Sequence, residues 1–345
     1  MSEFQPFYDA FGQHPLSKVS VSVGLGSAFF VLHWLSLGNQ IYRNSGWMLA
    51  LVISCAALFQ YYATATFRNA LPQMKVRLNE ENANSLLKYV NLVLSDWEFV
   101  KAGLFFGVLN TFMGILFGLP TDYRGYWPAA ISYIGFFVAG FVCGIPVRGI
   151  YGAWRVVDAF AKDQTLKVNY GAHDGRGGME FIGAALVRFA AVTLTEGVMI
   201  AWYILHTQWS RSRNPYVNLV LLFWATWPFI VSTFVLVAPC VRLHQRLERA
   251  KREEDDRLQD KIRAIESQVD NASSQQAETL LKRYEHYNER RVALDRMRTW
   301  PYGYSSKIKY GSIFLINVLV AVMNANDHWH SIAELRILVQ RNLHG

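Results

Sequence analysis

A polar loop followed by a long apolar run decides the fold of this chain. The loop reads GAHDGRGGMEF (residues 171–181), and the apolar run after it reads IGAALVRFAAVTLTEGVMIAWYIL (residues 182–205). A run of this length is enough to cross the ~30 Å hydrocarbon core of a bilayer as a helix. The run contains Arg188 and Glu196, and a charge at the centre of a spanning helix costs roughly 2.5–3.5 kcal/mol on insertion scales. We therefore treat both residues as candidates for a functional role.

The composition of the whole chain is that of a polytopic membrane protein. Of its 345 residues, 52% are hydrophobic and 17% are charged, and the charges occur in blocks between apolar runs. The net charge of +8 fits basic loops on the cytoplasmic side and an attraction to anionic lipid headgroups, so membrane lipids are the expected partners. Acidic residues accompany the basic ones wherever they cluster, and we therefore do not expect nucleic acid as a partner.

Six apolar runs have the length of membrane spans, so the sequence predicts an all-α polytopic membrane protein. The predicted transmembrane domain covers residues 19–240, and its spans are 19–37, 46–66, 102–119, 127–146, 181–205 and 218–240. Aromatic residues at helical spacing predict a short interfacial helix in residues 1–18. Residues 301–345 are expected to form a membrane-packed apolar helix and an amphipathic tail. The apolar run within them, residues 310–323, either crosses the membrane or packs against it without crossing.

Lys and Arg residues are concentrated in the connections 67–101 and 147–180 and after residue 240. By the positive-inside rule these regions and the N-terminus are predicted to be cytoplasmic. Residues 241–300, called the arm below, are dense in charges of both signs and contain apolar residues at coiled-coil spacing, namely Leu258, Ile262, Ile265 and Val269. The arm is predicted to be an antiparallel helical hairpin. Its apolar seam serves either this hairpin or association with a second copy or a partner protein.

The third span carries a stripe of glycines. Gly103, Gly107, Gly114 and Gly118 lie within about 60° of arc at 100° per residue, and Asn110 falls on the same face. Such a stripe lets the backbone of another helix approach closely, and Asn110 can hydrogen-bond across the contact. Gly140 and Gly144 in the fourth span are the candidate partner surface. The stripe either packs helices together or lines a pathway.

The fifth span supplies the candidate pathway residues. Ala184, Arg188, Ala191 and Thr195 share one helical face, which we expect to point into the bundle, and Glu196 flanks it. The long side chain of Arg188 can extend to the headgroups. Glu196 is deeper and must be protonated, paired or facing water, so it is either a structural group or part of an ion or proton pathway. Candidate internal partners are His33, Gln60, Asn110 and Asn317.

The Gly-rich loop (residues 171–178) precedes a predicted helix N-terminus. Its residues His173, Asp174, Gly175, Arg176, Gly177 and Gly178 could expose backbone N–H groups to a lipid headgroup or a phosphate. One alternative is a tight turn capped by Asp174, and another is a catalytic pair of His173 and Asp174. Neither a Walker A nor a Rossmann pattern is present. No nucleophile and no Cys/His ligand spacing accompanies the loop, so we expect no catalytic residue, metal or cofactor.

Two stretches, HDGRGGMEFIG (residues 173–183) and RMRTWPYG (residues 296–303), resemble motifs of HPDGxGGLxFLG and MRTWPF type. These motifs occur in bacterial polytopic membrane proteins without an assigned activity. The proline between His173 and Asp174 is missing here, and Tyr302 replaces the phenylalanine. The resemblance implies a bacterial inner membrane and a cytoplasmic, membrane-adjacent position for both stretches, and it implies no activity.

Intramembrane charge without a catalytic set predicts a channel- or transport-related protein that the arm gates or assembles, and not an enzyme. One alternative is a membrane-anchored signalling or assembly protein that acts through the arm. The other is a lipid-active enzyme that uses His173.

Overall fold

The computed structural model describes residues 15–39, 46–116, 126–206, 215–269 and 273–304, and several residues between 307 and 318. Of residues 215–228 it describes only the helical backbone. These ranges contain helices and turns and no strand, so the all-α prediction is confirmed for them. The interfacial helix predicted before residue 15, the amphipathic tail and Gly118 lie outside the described residues.

Eight helices follow one another in the described part of the chain. They are α1 (Pro15–Leu37), α2 (Gly46–Val76), α3 (Glu80–Val93), α4 (Asp96–Leu116), α5 (Tyr126–Lys162), α6 (Glu180–His206), α7 (Pro215–Val269) and α8 (Ser274–Asp295). The order repeats the predicted order of spans, with α3 as an added helix before the third span. Asn79 caps α3 by accepting a hydrogen bond from the backbone N–H of Asn82.

Two helices run well past the ends predicted for their spans. The second span was expected to end at residue 66, but α2 continues to Val76 with Pro72 inside it. The fourth was expected to end at Pro146, but α5 continues through that proline to Lys162. A proline removes one backbone donor, and a helix packed on several neighbours tolerates that loss.

Five helical stretches are long and apolar enough, by length and composition, to cross a membrane. They are Ser17–Leu37, Trp47–Val76, Glu80–Leu116, Tyr126–Lys162 and Glu180–Tyr203. These stretches correspond to the first five predicted spans and suggest a membrane protein. The sixth predicted span, residues 218–240, belongs to α7, and the side chains of its first part are outside the described residues.

Large apolar side chains cover the outer surfaces of α1 and α4. Leu35 on α1 and Phe105 and Leu116 on α4 are largely exposed. A continuous apolar surface of this kind is unfavourable in water and suits a lipid environment.

The interior contains two apolar clusters. One joins α1, α2, α5 and the end of α6 around Phe29, Ile53 and Phe136. The other joins α3, the end of α5, the start of α6 and the middle of α7 around Phe160 and Met179. The second cluster lies at the end of the bundle from which the arm continues, called the arm end below. It holds the Gly-rich loop because Met179 is fully buried in it.

The arm consists of the second part of α7 and the antiparallel helix α8. Glu254 pairs with Arg290 and Asp255 pairs with Arg291, while Lys261 lies over the ring of Tyr287. Later residues of α7 thus contact earlier residues of α8, so the two helices are antiparallel. The turn between them includes residues 270–272, which lie outside the described residues.

The described residues of the last apolar run lie along α7. The hydroxyl groups of Tyr310 and Ser232 are 3.1 Å apart, and the ring of Phe314 contacts that of Phe229. The run therefore proceeds antiparallel to α7 at the level of the predicted sixth span. Residues 319–323 lie outside the described residues, so the crossing itself stays a prediction.

Candidate functional site

Glycines bring α4 and α5 into backbone contact. A Cβ atom added at Gly140 would lie 2.5 Å from the carbonyl oxygen of Phe106 and 3.0 Å from the Cα of Gly107. At the same contact the Asn110 side-chain amide donates a 2.7 Å hydrogen bond to the carbonyl of Phe136. The side-chain amide of Asn110 on α4 therefore has its acceptor on α5. At position 140 the contact leaves room only for the hydrogen atom of glycine.

The remaining glycines of the stripe extend this contact. A Cβ at Gly103 would meet the ring of Phe141, and one at Gly144 would lie 2.7 Å from the carbonyl oxygen of Ala102. Gly114 is buried on the same face. In the described residues the stripe packs α4 against α5.

The face of α6 that carries Arg188 and Thr195 does not point into the bundle. Both residues are exposed, and the Thr195 hydroxyl donates to the carbonyl of Ala191 on its own helix. The expectation of an inward-facing stripe is wrong for these two residues. Helical periodicity tells which residues share a face, but neighbouring helices pack on the adjacent faces, which carry Glu196 and Ala190.

Glu196 is buried where three helices meet. Only 8% of the residue is exposed, and its carboxyl group lies beside the thiol of Cys143 on α5. Cys55 on α2 is close enough to interact with the carboxyl group electrostatically. The Oε1 atom of Glu196 is buried and has no hydrogen-bond partner among the described residues. A deep carboxyl group therefore has one unused oxygen inside the bundle.

The polar residues proposed as partners of Glu196 have other surroundings. Asn110 bonds to α5, and the ring of His33 lies 3.5 Å from the Ser132 hydroxyl. Gln60 is on α2 and lies more than one helical turn from Cys55 along that helix. Asn317 lies outside the described residues. Sequence reasoning missed Cys143 and Cys55 because a cysteine in an apolar run reads as an ordinary core residue.

A cavity lies between α2, α5 and α6, about one helical turn from Glu196 towards the arm end. Its polar lining comes from Gln60, Thr64 and Thr193, and the other lining groups are apolar. Only 7% of Gln60 is exposed, and its Oε1 atom has no hydrogen-bond partner among the described residues. Besides the Oε1 of Glu196, the described residues thus hold an unsatisfied buried oxygen on Gln60, and this one lies at the wall of the cavity.

The side chain of Asp174 caps the start of α6. Its Oδ1 accepts hydrogen bonds from the backbone N–H of Arg176 at 2.8 Å and of Gly178 at 3.0 Å, and its Oδ2 accepts from that of Glu180 at 3.1 Å. Because Glu180 is the first residue of α6, the carboxylate also meets the positive end of the helix dipole. An external anion would need these same N–H groups. The geometry corresponds to the turn capped by Asp174.

Two glycines give the Gly-rich loop its shape. Gly177 and Gly178 have φ angles of 65° and 77°, in the left-handed region that other residues rarely adopt. A Cβ at Gly178 would also meet the guanidinium group of Arg77 at the end of α2. Both the conformation and this close approach therefore require glycine at position 178.

Arg176 connects the loop to a distant part of the chain. The residue is buried, with 8% exposed, and its Nε donates a 2.9 Å hydrogen bond to the carbonyl of Tyr302. Its Nη1 donates to the carbonyl of Asp174 and to the carboxylate of Glu180. The guanidinium group, one of the candidate contacts for an anionic headgroup, thus donates to three acceptors of this chain.

The two stretches that carry the sequence resemblance contact each other. The backbone N–H of Arg298 donates a 2.8 Å hydrogen bond to the carbonyl of Gly175. The carbonyl oxygen of Pro301 lies directly against Gly183, where a Cβ would overlap it. The hydroxyl of Tyr302 donates to the carbonyl of Leu236 on α7. Residues 298–302, called the docking segment below, therefore join the Gly-rich loop, α6 and α7 where the arm ends.

Aromatic packing completes the docking segment. The ring of Trp300 stacks on His244 of α7, with centroids 4.5 Å apart and planes at 16°. Burial raises the pKa of Tyr302 above its usual value, so its hydroxyl keeps the proton that it donates. Arg176 and Tyr302 are 126 residues apart, and no local sequence signal predicts their contact.

His173 is exposed on the Gly-rich loop. Asp174 directs both carboxylate oxygens to backbone donors, so that carboxylate is not available to orient the imidazole. Within the described residues no group of three His, Cys, Asp or Glu side chains is placed to hold a metal ion. Comparison of the chain with protein-family models, curated proteins and solved structures finds no match.

Proposed function

We propose that this chain is an integral membrane protein with a channel- or transport-related function, in which Glu196 lies on the path of a proton or a cation. The observation that supports the proposal is the buried Oε1 of Glu196, which has no hydrogen-bond partner in the described residues. A buried carboxylate costs several kcal/mol unless it is protonated or paired, so such a group favours taking up a positive charge.

The position of Glu196 fits this role. Helices α2, α5 and α6 surround it, and each of them includes a stretch long enough to cross a membrane. The proposed path therefore runs between these three helices, and not along the exposed face of Arg188 and Thr195.

The proposal includes a bacterial inner membrane, six spans, and association through the arm with a second copy or a partner protein. The connections at the arm end hold most of the loop Lys and Arg residues, which favours a cytoplasmic arm end. The sixth span and the first helix of the coiled-coil arm would both belong to α7, a helix of 55 residues. A movement of the arm would then be transmitted directly to the transmembrane bundle, which is how the arm would gate it.

Flux measurements on Glu196→Gln test the proposal. The full-length protein is reconstituted in liposomes, and proton and cation fluxes are followed with internal dyes. Glutamine keeps the shape of the side chain but cannot exchange a proton, so we expect flux to fall at least tenfold. Thr195→Val, on the exposed face one residue away, serves as the matched control and should keep the flux of the unmodified protein.

Equal fluxes for Glu196→Gln and the unmodified protein would reject a pathway role for this residue. Absence of any flux above that of empty liposomes would reject the channel proposal for the ions tested. Thermal unfolding of each variant in detergent shows whether a loss of flux merely reflects loss of the fold.

A second candidate function is that of a membrane-anchored assembly protein that acts through the arm. Two large apolar side chains on α8 favour it, because Leu281 is 55% exposed and Val292 is 42% exposed in a helix that is otherwise highly charged. Leu281→Glu together with Val292→Glu should leave the fold intact and abolish association with a partner or a second copy. Cross-linking in native membranes measures this, and unchanged cross-linking would contradict it.

A further inference from the structure

We propose that the cavity between α2, α5 and α6 binds an apolar chain that carries one hydrogen-bond donor, such as the hydroxyl end of a long-chain alcohol or a hydroxylated lipid. The site is independent of the role proposed for Glu196, which does not line the cavity. The cavity is lined mainly by apolar groups, including Phe59, Phe67, Phe99, Pro146, Ile150 and Phe189.

The polar requirement of the ligand follows from Gln60. Its Oε1 is buried without a partner, and it lies 3.9 Å from the position that a Cβ on Gly149 would take. Gly149 lines the same cavity, so this oxygen lies at the cavity wall. An unsatisfied buried acceptor is unfavourable by about the desolvation cost of the group, and a donor on the ligand removes that cost. An ionised fatty acid and an alkane both lack a hydrogen-bond donor.

The route of entry favours a ligand from the bilayer. The centre of a water-sized sphere can occupy about 50 Å³ of the cavity, and the unfilled space reaches about 580 Å³ when the open mouth is counted. Thr64 on α2 and Val192 on α6 line it and are partly exposed, so the mouth opens between these two helices. Both helices include stretches that are apolar and long enough to span a membrane, which places the mouth where lipid chains would reach it.

Photolabelling of the full-length protein tests the proposal. The probe is a long-chain alcohol with a photoreactive group in its chain, and labelled peptides are mapped by mass spectrometry. We expect labels in residues 59–67 and 189–193. Dodecanol should compete roughly threefold to tenfold better than dodecane or dodecanoate, the factor expected for one hydrogen bond.

Two variants separate the contributions of shape and hydrogen bond. Gly149 lines the cavity, so the side chain of Gly149→Leu should fill it and abolish labelling. A Cβ at this position meets only ordinary contacts at 3.5 Å and 3.9 Å, so the backbone can stay in place. Gly24→Leu is the matched control, since nothing lies within 4 Å of a Cβ at that exposed helical position. Gln60→Leu should keep the labelled peptides but remove the preference of the site for dodecanol over dodecane.

Labelling that is spread over exposed residues of α1 and α4 and is unchanged by Gly149→Leu would overturn the proposal. Equal competition by dodecanol and dodecane in the unmodified protein would overturn the hydrogen-bond assignment, as would an unchanged preference in Gln60→Leu. If Gly149→Leu fails to fold, Gln60→Leu still decides. Glu196→Gln should be labelled like the unmodified protein, so failure of the pathway proposal and failure of this one are distinguishable.

Discussion

Asp174 and His173 are neighbours in the chain but differ in how much the fold depends on them. The Asp174 carboxylate accepts three backbone hydrogen bonds and lies at the start of α6, whereas His173 is exposed. Hydrogen bonds to a charged group contribute more than neutral ones, and a cap at a helix N-terminus contributes about 1 kcal/mol. The stabilising residue of the loop is therefore Asp174.

Asp174→Ala should destabilise the protein by about 2–3 kcal/mol, because three backbone N–H groups lose their acceptor together. The loss is measured as a lower midpoint of thermal or denaturant unfolding in detergent. His173→Ala is the matched control and should change the free energy of unfolding by less than about 0.5 kcal/mol. Equal effects of the two substitutions would contradict the capping role of Asp174.

Residues 195 and 196 indicate how far single residues could be predicted. Hydropathy and length placed both in an apolar helix, and the depth argument selected Glu196 as a group that must be protonated, paired or facing water. In the structure Glu196 is buried, with 8% exposed. The same periodicity could not tell which face the other helices cover, so Thr195 was expected inside and is exposed. The direction of a face depends on tertiary packing, and one sequence does not encode it locally.

At the level of elements, the contact of α4 with α5 depends on glycine at close range. The gap at Gly140 is bounded by the backbone of α4, including the carbonyl oxygen of Phe106 at 2.5 Å from an added Cβ. A backbone atom in a packed helix cannot rotate away as a side chain can. Dispersion between the two backbones and the Asn110 hydrogen bond both require this short distance.

Gly140→Ala should therefore push the two helices apart and destabilise the protein by about 1–3 kcal/mol, the usual range for overpacking. Gly149→Ala on the same helix is the control, because its Cβ would meet only ordinary contacts at 3.5 Å and 3.9 Å. That control should be neutral or slightly stabilising, since alanine favours a helix by up to about 1 kcal/mol. Thermal unfolding of the two variants side by side checks the prediction, and a Gly140→Ala midpoint at or above that of Gly149→Ala would contradict it.

Glycine spacing predicted this contact surface, but the sequence pattern did not predict the lengths of the helices. The apolar part of α5 ends near Pro146, which led to a predicted end there, while the helix continues to Lys162. Its continuation is polar on one side and carries Val156, Val157 and Phe160 on the buried side. Packing against α3 and α7 therefore extends a helix that hydropathy alone would end at the membrane surface.

In the molecule as a whole, the docking segment joins parts that are far apart in sequence. It connects the end of the arm to the Gly-rich loop through Arg298 and Gly175 and to α7 through Tyr302. The sequence resemblance marked both stretches as notable, but a separation of more than 120 residues gave no means to predict that they touch. This contact fixes the base of the arm to the start of α6, the helix that carries Glu196.

Gly183→Ala should release the docking segment from α6, because the added Cβ would overlap the carbonyl oxygen of Pro301. Each 1.4 kcal/mol lost from this contact raises the fraction of molecules with a detached docking segment about tenfold. We expect trypsin cleavage after Arg298 to accelerate by about that factor. Gly171→Ala in the exposed part of the loop is the control, since its Cβ would lie 3.8 Å from the nearest atom, on Asn169. If the arm gates the bundle through this contact, Gly183→Ala also changes the flux that depends on Glu196, while Gly171→Ala leaves it unchanged. Faster cleavage with unchanged flux would separate the two roles: the docking segment would then hold the arm in place without controlling the path through α6.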